Sequence, residues 1–129
     1  MTTASDIVTG ALKMIGIVDS AEAVGASESS DGLTALNDMI QSWTGRSVYT
    51  GAAILALSDE FPFEDQHILG CKAMLAEILA DNYGKTVPPG VVKRARAGWN
   101  AIFADFFVPE RIKVDDGLQN MPSQRWYLR

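Results

Sequence analysis

Residues 64–84 read EDQHILGCKAMLAEILADNYG. Ile68, Cys71, Leu75, Ile78, Leu79 and Asn82 recur at helical spacing and share one face. Glu64 and Asp65 sit where the positive end of a helix dipole favours acids. Asn82-Tyr83-Gly84 has the chemistry of a C-cap. The stretch predicts a helix running from about Pro62 to Gly84.

Two further helices are predicted upstream. One spans about Ser5 to Ile15, where Ala4, Ile7, Val8, Ala11, Leu12 and Ile15 make the stripe. Thr3 and Asp6 have capping-box spacing, and Gly16 can stop the helix. The polar stretch IVDSAEAVGASESSDG then reads as a loop. A second helix is predicted from a cap at Ser29 or Ser30, with Asp31 in its first turn. Its stripe is Leu33, Leu36, Met39, Ile40 and Trp43, and Gly45 ends it.

Downstream, KTVPPG is a rigid turn. The last helix opens at Pro89, where a proline costs no hydrogen bond. Val92, Ala95, Trp99, Ile102, Phe103 and Phe106 form its predicted buried stripe, and Pro109 closes it. Lys93, Arg94 and Arg96 fall on the solvent side. Between the second and third helices, RSVYTGAAILALSDEFPF changes character. Its β-branched and aromatic residues, broken by Gly51, read as an extended loop or a β-hairpin. The expectation is an all-α fold. Residues 1–108 form a four-helix bundle with this long excursion, and 109–129 an extended C-terminal arm.

Composition narrows the function classes. The chain has 129 residues, 47 % hydrophobic and 21 % charged, as one domain with its own core would. No apolar run reaches membrane-spanning length. MTTASDIV lacks a basic n-region, so no signal peptide is expected. The net charge of −5 hides a division: residues 1–66 carry −8 and residues 67–129 carry +3. Such bipolarity suits head-to-tail contact between copies or docking on a charged partner, or it reflects differing solvated faces. The acidic balance disfavours tight DNA binding. The KRAR cluster at 93–96 lacks the extent and aromatic interleaving of a nucleic-acid face.

Chemistry is sparse. Cys71 is the only cysteine and His67 the only histidine. Cys71 reads as a buried helix residue, since no activating base is evident beside it in sequence. His67, in a first helical turn, reads as a surface residue. A histidine-based metal site would lack its second imidazole. Glu60 with Glu64, and Asp115 with Asp116, are the carboxylate pairs, but acids at a helix start already have an electrostatic role. No cofactor motif is present, and an enzyme is not expected.

Three stretches carry a family resemblance: SDIVTGALKMIGIVDS, GLTALNDMIQSW and EDQHILGCKAMLAEILADNYG. They resemble the head-completion proteins of tailed bacteriophages, and are most similar to the head-to-tail adaptors of short-tailed phages. These are also called tail accessory factors or packaged-DNA stabilisation proteins. The likeness runs from Ser5 to about Phe107. Its markers are Gly16, Trp43 and Asn82-Tyr83-Gly84, which are packing and capping residues. The resemblance implies a virion protein at the head–tail junction, made in the host cytoplasm. Such proteins join the portal after packaging, are typically monomeric beforehand, and form a twelve-membered ring. The ring lengthens the DNA channel, meets passing double-stranded DNA without sequence preference, and carries the downstream tail (nozzle) protein. Some members are described as cell-wall hydrolases, but no catalytic acid maps onto this chain.

C-terminal arms in the family reach the portal or a neighbouring subunit. Arg125, Trp126, Tyr127, Leu128 and Arg129 have hot-spot chemistry and are the expected arm contact, unless they fold back on the chain's own core. Tyr49, Ile54, Leu55, Lys93, Arg94 and Arg96 are the expected contacts with neighbours or the tail. Two other readings stay open: a generic helical interaction module, such as a regulatory or toxin–antitoxin partner, and a peptidoglycan hydrolase.

Overall fold

A computed structural model describes residues 2–18 and 23–109. They form four α-helices: α1 Ala4–Met14, α2 Ala26–Ser42, α3 Asp65–Tyr83 and α4 Pro89–Phe106. A 3-10 turn, Trp43–Arg46, continues α2. The described residues contain no β-strand, only two isolated bridges, so the fold is all-α.

Helix α1 begins where the sequence places its cap. The Thr3 hydroxyl accepts from the Asp6 N–H at 3.3 Å, and the Asp6 carboxylate accepts from the Thr3 N–H at 2.9 Å. That reciprocal bond draws the Asp6 carboxyl below its ordinary value. The whole predicted stripe is buried, and Gly16 leaves the helix at φ +74°.

Helix α2 starts at Ala26, earlier than Ser29 or Ser30. Glu28 reaches back to the Gly25 N–H at 3.3 Å, satisfying a terminal donor without a hydroxyl cap. Gly32 lies in α2 where a methyl group would overlap the Val8 side chain of α1.

Helix α3 starts at Asp65, after Pro62 rather than at it. Phe61 and Phe63 are buried while Pro62 and Glu64 are exposed, an extended alternation that a helix could not supply. The two rings meet edge to face at 5.1 Å. Gly84 closes α3 in the left-handed region, and the Lys85 N–H returns to the Ala80 carbonyl. Helix α3 packs against α1, α2 and α4. Ala73, Ala76 and Ala80 let three neighbours approach it, and all three are buried.

Helix α4 opens at Pro89 as expected and buries Ala95 and Ile102 of its predicted stripe, with Trp99 and Phe106 packed against the core, but its face is turned at the edges. Val91, Ala95 and Ile102 are buried, whereas Val92 and Phe103 are 38 % and 37 % exposed. The reason is Gly98. A Cβ there would overlap the Gly70 backbone, and one at Gly70 would lie 2.5 Å from the Gly98 Cα. The two helices therefore cross backbone against backbone, and the contact line passes through 91, 95, 98 and 102. The helix ends at Phe106, before Pro109, because Phe107 is extended and bridges Val48.

The excursion between the 3-10 turn and α3 is neither a hairpin nor an unsupported loop. Asn37 of α2 supplies what a partner strand would have given: its Nδ2 donates to the Leu55 carbonyl at 2.9 Å, and its Oδ1 accepts from the Leu55 N–H at 2.8 Å. Gln41 Nε2 donates to the Ala52 carbonyl. The end of the excursion clamps the start of α1 through Phe61 N–H to Thr2 and Ala4 N–H to Asp59. No described helix is long and apolar enough to cross a membrane.

Candidate functional site: an aromatic end and a charged seam

The two ends of the 47–107 region meet in space. The Tyr49 N–H donates to the Phe106 carbonyl at 3.2 Å, and the Val108 N–H donates to the Ser47 carbonyl at 2.9 Å. This gathers Tyr49, Phe107 and Val108 at one end of the molecule, exposed by 54 %, 41 % and 51 %. Phe103 stacks on Phe107 with ring centroids 4.4 Å apart. These are large apolar groups on an ordered framework, with solvent where packing should be.

The end patch connects inward. Phe103 touches Trp99, Trp99 touches Trp43, and Trp43 touches Phe63, each pair with centroids within 6.0 Å. Trp43 is buried, so an apolar path leads from the surface into the core.

Beside Trp99 lies a groove of about 400 Å³ between α2, α3 and α4. Met39, Met74, Ile78 and Trp99 make its apolar surface, while Arg46, Glu77 and Arg96 supply charge. The Arg46 guanidinium lies over the Trp99 ring, 5.0 Å from its centroid, a cation–π arrangement. Further along the same α2–α3 seam, a hollow of about 300 Å³ is lined by Asp31, Asp38, Asn82 and Tyr83. The Tyr83 hydroxyl is shut from solvent and has no hydrogen-bond partner among the described residues. Burial pushes its phenol above the ordinary value, with the nearby charges of Asp31 and Glu28 adding to this. The hollow is thus acidic, whereas the groove mixes Arg46 and Arg96 with Glu77.

The predicted contact residues divide. Tyr49 and Ile54 are exposed, Ile54 by 75 %. Leu55 is not available: it is buried, and Asn37 holds its backbone. Lys93, Arg94 and Arg96 are all exposed, but only Arg96 lines the groove. Arg125, Trp126, Tyr127, Leu128 and Arg129 lie outside the described residues. The sequence reading missed Arg46, Phe107 and the glycine crossing. Mid-helix glycines at 70 and 98 were the available signal for the last.

His67 is buried, not on the surface. Its Nε2 lies 2.6 Å from Asp105 Oδ2, which also accepts from Gln66 at 3.1 Å, and its ring packs on Phe106. This ties the start of α3 to the end of α4. His67 also stands one helical turn before Cys71, a spacing that a nucleophile and its base could use. Cys71 is wholly buried and burial pushes its thiol up to about 12, while Asp105 holds the imidazole at Nε2 and its Nδ1 is buried without a hydrogen-bond partner among the described residues. Glu60 and Glu64 are exposed and line neither hollow. Among the described residues, no three of His, Cys, Asp and Glu converge as a metal would require.

No protein-family model matches this chain, and neither does any curated protein.

Proposed function

We propose that this chain is a head-to-tail adaptor of a short-tailed bacteriophage. In this reading its four helices are the adaptor bundle, and the copies form a twelve-membered ring on the portal. The ring extends the DNA channel, helps retain packaged DNA and carries the nozzle protein. The sequence resemblance from Ser5 to about Phe107 suggests the class. The observation that best supports a docking role is the end patch of Tyr49, Phe103, Phe107 and Val108. Aromatic side chains held in order and left exposed have the composition of an interface core. The exposed bases of α4 and the acidic surface of α2 would give each copy the two unlike faces that a closed ring needs.

The test is cosedimentation with a panel of purified portal rings. Full-length protein should bind saturably, at about one copy per portal subunit as ring symmetry demands. Truncation after Val114 asks whether the arm docks. The pair Phe103→Ser and Phe107→Ser asks whether the end patch does. Absence of binding to a cognate portal would reject the adaptor reading. With a stable small oligomer in solution, it would favour the helical interaction module, which the same exposed patch also suits.

A further inference from the structure

The groove beside Trp99 changes character with depth. Its buried lining is apolar and includes Met39 and Trp43, whereas its exposed lining includes Arg46 and Arg96. Met74 and Trp99 are half-buried between them in exposure. We propose that this groove binds a small monocarboxylic acid with an aromatic body, its ring among Met39, Met74 and Trp99 and its carboxylate at Arg46 and Arg96. The proposal does not rest on the adaptor reading.

Three observations carry it. The first is size and lining. A volume of about 400 Å³ falls within the roughly 300–1,000 Å³ of small-ligand clefts, which are mostly apolar with a few converging polar groups. Two thioethers and an indole make a wall that adapts to a flat ring, since methionine sulfur contacts aromatic edges favourably. The second is charge. Arg46, Arg96 and Glu77 are the charged side chains of the lining, two arginines against one glutamate. Among the described residues the ion pair is His67 with Asp105, and none of these three takes part in one. The excess is therefore a single positive charge, which matches a monoanion and gives a polyphosphate too few partners. The third is how one arginine is held. The Arg46 guanidinium lies over the Trp99 ring, 5.0 Å from its centroid. Stacking occupies the face of the guanidinium and leaves its N–H edge for a carboxylate, which it can grip with two parallel hydrogen bonds.

The test titrates phenylpropionate into the full chain with isotope-labelled methionine methyl groups, followed by NMR. The Met39 and Met74 methyl resonances and the Trp99 indole resonance should shift together and saturate, while Met14 stays in place. A ligand of this size in a fitted cleft should show a dissociation constant of about 1 mM or tighter. Phenylpropanol has the same ring without the charge and should bind at least about tenfold more weakly. Arg96→Gln spares the Arg46 stack and should weaken phenylpropionate binding about tenfold, as should high salt in direction. Glu77→Gln removes the opposing charge and should tighten binding several-fold. Unshifted α1 resonances identify each variant as folded. Absence of saturable shifts at Met39 and Met74 by about 10 mM overturns the proposal. Equal binding of phenylpropanol overturns it too, as does a folded Arg96→Gln that binds like the parent or a Glu77→Gln that binds more weakly.

Discussion

Replacing Gly98 with alanine sets two opposed effects against each other, and their sizes can be worked out. Alanine inside a helix is favoured over glycine by about 1 kcal/mol. Against this stands the crossing with α3. A Cβ on either glycine meets the other's backbone, and at Gly70 the separation is 2.5 Å where ordinary contact begins at 3.4 Å. Backbone cannot rotate aside, so α3 and α4 must part by roughly an ångström, which forfeits up to half the dispersion well of each pair along the seam. Overpacking of this kind costs about 1–3 kcal/mol, occasionally more, and a rigid obstacle belongs at the upper end. The net expectation is a loss of about 1–2 kcal/mol for Gly98→Ala. For a domain of this size each kcal/mol lowers Tm by about 4 °C. The control is Gly10→Ala, whose new methyl would meet only the flexible end of Lys72. That variant should be neutral or up to about 1 kcal/mol more stable. Urea titration with unchanged m-values reads both. If Gly98→Ala unfolds at or above the parent midpoint, the backbone crossing is wrong.

Three further outcomes follow from named contacts. Asn37→Ala removes both bonds to Leu55 and should cost about 1–3 kcal/mol, with the Leu55 amide losing hydrogen-exchange protection before α2 does. Thr3→Ala breaks the capping box and should cost about 1 kcal/mol near neutral pH. Because the folded Asp6 carboxyl lies below its ordinary 3.8, its contribution is complete above that pH and is lost as the pH falls through the folded value, so parent and variant should converge in acid. Cys71 should resist a thiol reagent in the native protein and react on unfolding. Fast modification of folded protein would contradict its burial.

Helix α1 was fully legible in the sequence, because its cap, stripe and stop signal are all local. Helix α3 was legible with its buried face, Asn82 apart, and helix α4 as a helix with part of its face, since Ala95 and Ile102 are buried and Trp99 and Phe106 pack against the core. Apolar periodicity chose Val92 and Phe103 for the core of α4. The glycine contact instead puts Val91 in the core and leaves Val92 and Phe103 exposed, while Ile102 is buried as its place in the stripe predicts. Backbone-to-backbone approach leaves no hydrophobic signature, since the residues that make it have no side chain. His67 looked like a surface residue because its partner Asp105 lies far along the chain. The excursion read as an extended loop or a hairpin because its residues favour extended backbone, and it is the loop, held by amides on α2. The candidate site was legible in part. Tyr49, Ile54 and the bases of α4 stand exposed as expected, whereas the Leu55 side chain was lost to the core.

Trp43 and Trp99 stand with ring centroids 5.9 Å apart at 53°. Indole transitions this close and this inclined couple into an exciton pair, so the native protein should show a split circular-dichroism band that neither tryptophan gives alone. One ring follows α2 and the other belongs to α4, and the next ring outward is Phe103 of the exposed patch. The couplet is therefore an intrinsic optical gauge of the spacing between those two helices. It needs no label, and its amplitude would register anything that settles on the aromatic end and shifts Trp99.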